Sequence, residues 1–91
     1  MKKVFENELE GYVQKFNKKD VILNLEGIVK EKIKMENVEC NYNIRNGIFK
    51  IKDKTANINI DISSVYRIEI SENNSMLVIY LDNGIDIRIE K

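Results

Sequence analysis

The side chains able to do chemistry are few in kind. The chain holds 15 Lys and Arg, 15 Asp and Glu, one Cys and no His among its 91 residues. Without His it lacks the commonest general base, the commonest metal ligand and any His-dependent nucleophilic triad. One Cys closes no internal disulfide and builds no Cys-rich zinc site. Cys40 stands between Val38 and Tyr42 in an alternating run, so its side chain is expected to point inward. A reactive thiolate needs an electropositive, partly exposed setting, so Cys40 is read as structural. Asp61, Glu69, Asp82 and Asp86 could approach one another in a fold, but no spacing singles out two of them for acid–base work. Gly11, Gly27, Gly47 and Gly84 are too scattered to form a phosphate-cradling loop. The expectation is a chain that is not an enzyme, with no catalytic residue, no metal and no cofactor.

Charge offers a better candidate site, although the formal net charge is zero. That zero argues against a globally basic nucleic-acid binder or a polybasic membrane protein. The charges nevertheless sort along the chain, with residues 1–36 at +1, residues 37–54 at +2 and residues 55–91 at −3. Lys30, Lys32 and Lys34 point away from the core on the first long alternating segment, and Arg45, Lys50 and Lys52 do so on the next hairpin. If those two elements pair, the six residues share one outer face with Asn41 and Asn43 between them. Such a face suits a phosphate backbone or an acidic protein. Lysines on an exposed sheet face also serve simply to keep it soluble and to discourage edge pairing. Platforms for single-stranded nucleic acid add exposed aromatics for stacking, whereas Tyr42 and Phe49 fall on the inward face here.

The elements that must position these residues follow from hydrophobic periodicity. Phe5, Leu9, Tyr12, Val13 and Phe16 fall on one face of a 3.6-residue repeat, which predicts an amphipathic helix over about residues 3–18. Gly11 lies inside it, so either something packs closely there or the helix is locally weak. From Val21 to Met35 the period is two, with Val21, Leu23, Leu25, Val29, Ile33 and Met35 on one parity. This reads as a single long strand, bulged or bent at Gly27 with Ile28 and Val29 both apolar beyond it. Asn46-Gly47 and Asn83-Gly84 each match a two-residue type I′ hairpin. In the first, Arg45 faces Ile48, Asn43 faces Lys50 and Asn41 faces Lys52, gathering Val38, Cys40, Tyr42, Ile44, Phe49 and Ile51 on the other side. In the second, Met76, Val78 and Tyr80 share a face with Ile85, Ile87 and Ile89. Leu77, Ile79 and Leu81 then point the other way, so that strand should lie centrally with the helix covering its second face. Ala56 to Ile62 and Tyr66 to Ile70 alternate as two further strands around Ser63-Ser64, and Asn73-Asn74 supplies a turn tolerant of left-handed backbone.

The fold class expected is therefore α+β but mainly β. An N-terminal amphipathic helix precedes about seven short antiparallel strands in a meander, forming a strongly bent sheet or small open barrel within a single domain spanning residues 1–91. The leading helix, a long bent first strand and the break at Ser63-Ser64 resemble the element order of Sm-like small barrels. That resemblance implies an association with nucleic acid; it is one of element order, and no stretch matches an Sm motif residue by residue. Glu6, Glu8 and Glu10 interrupt any secretory signal, and no stretch is apolar enough to span a membrane, so a cytoplasmic location is expected. Fifteen Ile, twelve Lys and twelve Asn use A/T-rich codons and point to a low-GC bacterial genome rather than to a function. Small domains with thin cores and open sheet edges often gain buried surface by pairing. The functional expectation is a non-enzymatic interaction module that self-associates and binds protein. The alternative is a nucleic-acid-associated small barrel using Lys30, Lys32, Lys34, Arg45, Lys50 and Lys52.

Overall fold

The computed structural model describes residues 1–27 and 30–91. Among these the chain is mainly β, with nine strands, all paired antiparallel, and one short helix near the N-terminus. The order is β1 (Lys2–Lys3), a 3-10 turn (Glu6–Glu8), α1 (Leu9–Gln14), β2 (Val21–Glu26), β3 (Glu31–Met35), β4 (Glu39–Asn43), β5 (Ile48–Lys52), β6 (Asn57–Asp61), β7 (Val65–Ile70), β8 (Met76–Leu81) and β9 (Asp86–Glu90). They form two sheets, one in the order β1-β7-β8-β9-β2-β3 and one in the order β4-β5-β6. The large sheet ends at β1 and β3, so its described strands form an open, not a closed, sheet.

The helix is shorter than the apolar stripe predicted. Lys2 and Lys3 pair with Ile70 and Glu69 as a strand, and Val4 continues that pairing by donating its N–H to the Ile68 carbonyl at 2.9 Å. Tertiary pairing thus captures residues whose local pattern also suited a helix. Phe5 is consequently exposed, while Leu9, Val13 and Phe16 are fully buried and Tyr12 partly so. Added bulk at Gly11 would meet nothing within 4 Å, so no close approach explains that glycine.

The segment 21–35 is not one bent strand but two, β2 and β3, paired from Val21 opposite Met35 to Leu25 opposite Glu31. A hairpin whose partners sum to an even number keeps the same parity on the same face. The alternation therefore predicted the buried set, Val21, Leu23 and Met35, while hiding the reversal. The proposed bulge involves Ile28 and Val29, which lie outside the described residues. The folding back also removes one of the three elements on which the resemblance to Sm-like barrels rested, the long first strand.

Both Asn-Gly turns form, but not as two-residue loops. Only the glycines take positive φ, +67° at Gly47 and +84° at Gly84; Asn46 and Asn83 do not. In the first hairpin residues 44–47 form the loop, Asn43 faces Ile48, Asn41 faces Lys50 and Glu39 faces Lys52. That is a two-residue slip from the expected pairing, which preserves faces but lifts Ile44 out of the core into the exposed turn. Gly47 is required twice over, since a Cβ there would sit 3.0 Å from the Ser63 Cβ. The second loop gains one residue, with Leu81 donating to the Ile85 carbonyl and left-handed Gly84 closing the turn, the arrangement of a type I turn with a G1 bulge. A one-residue change flips every side chain. Leu77 and Ile79 now share a face with Ile89 and Ile87, and Met76, Val78 and Tyr80 share the other with Glu90, Arg88 and Asp86. This places the fully apolar sets together, which the two-residue loop could not.

β8 is interior to its sheet, as its two apolar faces required; Leu77, Ile79 and Leu81 lie in one core cluster with Leu9, Val13 and Phe16 of the helical segment, whereas the Val78 face lies outside that cluster. Val78 is buried there between its cross-strand neighbours Glu69 and Arg88, whose long side chains flank it. A register shift between Val65 and Arg67 turns Tyr66 outward, where it is 75% exposed rather than in line with Ile68 and Ile70. The helix packs most closely on β4, and the inner faces of both sheets and α1 contribute to one continuous hydrophobic cluster.

Candidate functional site

The six basic residues do not share a face. Lys32 and Lys34 stand on the outer side of the large sheet, opposite Asn24 and Ile22, with exposed Lys30 just before them. Lys50 and Lys52 stand on the outer side of the small sheet, and Arg45 is exposed in the turn that joins β4 to β5. The inner faces of the two sheets meet in one core, so their outer faces point away from each other. The single surface expected if the 21–35 segment paired with β4 is therefore not formed, because β3 pairs with β2. Lys52 is also engaged by Glu39 at 3.3 Å. Lys50, Lys52, Asn41 and Asn59 line a shallow cavity of about 430 Å³ on the small sheet. Tyr42 and Phe49 are fully buried beneath that sheet and offer no stacking surface.

The acidic and thiol groups are occupied in holding the fold. The Cys40 Sγ donates to the Val13 carbonyl at 3.0 Å, and burial pushes the thiol up to about 11. The Tyr42 hydroxyl donates to Glu6 Oε1 at 3.1 Å; burial, then that carboxylate, pushes it up to about 12. Hydrogen bonds from the Ser63 backbone and side chain hold the exposed Asp61 carboxyl below its ordinary value. Glu69 is held low by a hydrogen bond from Tyr80 and by Arg67, which it meets at 3.0 Å. Asp53 accepts from the backbone N–H groups of Thr55, Ala56 and Glu36, and the first two are the main cause of its lowered pKa. Through Glu36 it ties the end of β5 to the link between β3 and β4. No group of three or more His, Cys, Asp or Glu is placed to hold a metal among the described residues.

A different feature stands out between the two sheets, beside the β8–β9 turn. There a cleft of about 790 Å³ is walled by Leu25, Ile60, Ile85 and Ile87, with Glu31 and Asn83 at its rim. Ile33 on β3 and Ile58 and Ile60 on β6 are only partly buried against the core, and Ile60 is the one that lines the cleft. The β6 edge itself carries backbone groups that no described residue pairs. Asp53 donates to the Ala56 carbonyl and Ile62 to the Gly47 carbonyl, which fixes the alternation of the β5–β6 ladder. Ile58 and Ile60 bond towards β5, so the N–H and C=O groups of Asn57, Asn59 and Asp61 point outward.

Sequence reasoning marked the alternation of Ile58 and Ile60 but not their place at a sheet edge. The available signal was the uncharged run from Thr55 to Ile60, which has none of the lysines found on β1, β3 and β5. Comparison with known proteins finds no matching family model, no matching curated protein and no matching solved structure. The fold and its open side are thus the whole basis for a functional reading.

Proposed function

We propose that the chain is a non-enzymatic protein-interaction module whose first partner is a second copy of itself. The observation that carries this reading is the unclosed margin between the two sheets, where apolar Leu25, Ile60, Ile85 and Ile87 wall an open cleft. Apolar surface left at the rim of a thin core is stabilised when another chain covers it. The chemistry-bearing groups favour the same reading, since Cys40 and Tyr42 are buried with raised pKa values and Glu69 and Asp61 are hydrogen-bonded in place. The basic residues favour it over a nucleic-acid platform, being divided between opposite faces. Sedimentation velocity from micromolar to millimolar chain tests the proposal. A weight-average mass rising from monomer towards dimer supports it, and a monomer at every concentration rejects it.

A further inference from the structure

Among the described residues the two sheets end in four edge strands, and their chemistry differs. β1 is two residues long and both are Lys. β3 carries Lys32 and Lys34, preceded by Lys30. The β4 edge is already covered: Lys18 donates to the Val38 carbonyl, Val38 to the Lys19 carbonyl, and the Cys40 N–H to Asn17 Oδ1 at 2.7 Å. Shortness, lysine and a covering segment are the devices by which edges are protected from pairing. Among the described residues β6, Asn57-Ile58-Asn59-Ile60-Asp61, has none of them; it shows no register irregularity against β5 and bears only a terminal Asp.

We infer that two copies join by antiparallel pairing of β6 with β6, about a two-fold axis at Asn59. This rests on the self-association reading and specifies its contact. Geometry selects this register. The outward groups belong to residues 57, 59 and 61, so the hydrogen-bonded pairs are Asn59 with the partner's Asn59 and Asn57 with the partner's Asp61, in both directions. Each pair exchanges two backbone bonds. Ile58 then lies opposite the partner's Ile60 as a non-hydrogen-bonded pair, the closer kind, on the apolar face. The two small sheets become one continuous sheet, β4-β5-β6 joined to β6-β5-β4, whose inner face extends past the open cleft. Charge agrees as well: no like charges face each other across this contact. The same operation on β3 would set Lys32 opposite the partner's Lys34, an unfavourable pair. The isologous contact closes at two copies.

The test uses the full chain and an Asn59→Asp variant. Within its own chain position 59 faces Lys50, so the added carboxylate is favourably placed in the folded monomer. At the two-fold axis it meets its own copy, and the dissociation constant rises about fivefold or more at low salt. Far-UV circular dichroism checks that the variant is folded. In the unaltered chain, amide hydrogen exchange is followed at low and high concentration. The amides of Asn57, Asn59 and Asp61 gain protection only at high concentration, while those of Ile58 and Ile60 are protected throughout. Self-association that persists with unchanged affinity in Asn59→Asp, with no protection at Asn57 and Asn59, overturns the β6 contact and leaves the module reading standing. Tighter association in Asn59→Asp, reversed by Lys32→Glu, indicates head-to-tail pairing of β6 with β3 and also overturns it. A monomer at all concentrations removes the module reading itself.

Discussion

Replacing Gly11 with Ala raises the stability of this protein. Gly11 is inside α1, exposed, and at negative φ, so alanine adopts its conformation without strain. An added Cβ meets nothing within 4 Å, so no packing is lost. In a helix interior glycine is less favourable than alanine by about 0.8–1 kcal/mol. α1 has only six residues, which places the gain at about 0.5–1 kcal/mol. For a chain of this size the midpoint of thermal unfolding rises by about 2–8 °C. The assay is a thermal melt at low concentration followed by circular dichroism, with urea unfolding to show that the m-value is unchanged. α1 packs on β4, at the far edge of the small sheet from β6, so self-association should not change. An unchanged or lowered melting temperature with the same m-value refutes this reasoning, because it means that Gly11 answers a constraint other than helix propensity.

Two further outcomes follow from the titrating groups. Cys40 and Tyr42 keep their protons in the folded state up to about 11 and about 12, above their ordinary values of 9.0 and 10.0. The unfolded chain therefore loses those protons first, and stability present below about pH 9 falls as pH rises; urea midpoints at pH 8 and pH 10 measure it, and Cys40→Ala with Tyr42→Phe flattens the fall. By the same burial, a thiol-alkylating reagent at neutral pH labels Cys40 only as fast as the chain opens, which mass spectrometry in rising urea detects. Asp53 has the opposite sign: its lowered carboxyl contributes stability above its ordinary value of 3.8, and this is lost as pH falls through the folded value. Asp53→Ala lowers the denaturation midpoint at neutral pH, and the gap to the unaltered protein narrows on acidification.

Most of the strand content was legible because burial on one face imposes a period of two, whichever way the strands connect. Cys40, Tyr42, Phe49 and Ile51 were placed inside correctly despite a turn of the wrong length, since a two-residue slip preserves parity. Where the slip was one residue, at Asn83-Gly84, the same logic put Val78 and Ile87 on one face when they lie on opposite ones. Loop length is set by which residues take left-handed backbone, and the dipeptide alone does not distinguish one such residue from two. The candidate site fared worse. Whether Lys32 and Lys50 share a surface depends on a strand pairing that local pattern leaves open, and β3 pairs with β2 rather than β4.

The sequence by itself determined the chemistry and the composition of the core. With no His and one inward Cys it restricted what reactions the chain could support, and its alternation selected the buried residues, because both depend on residue type and near neighbours alone. Only the tertiary structure decided which strands are neighbours. It folded 21–35 back on itself, recruited Lys2 and Lys3 into the large sheet, and sent the lysines to opposite outer faces. Among the described residues it also left β6 as the one edge without lysine, shortening or cover. Edge status is a property of what lies beside a strand, and a strand's own residues do not encode its missing neighbour.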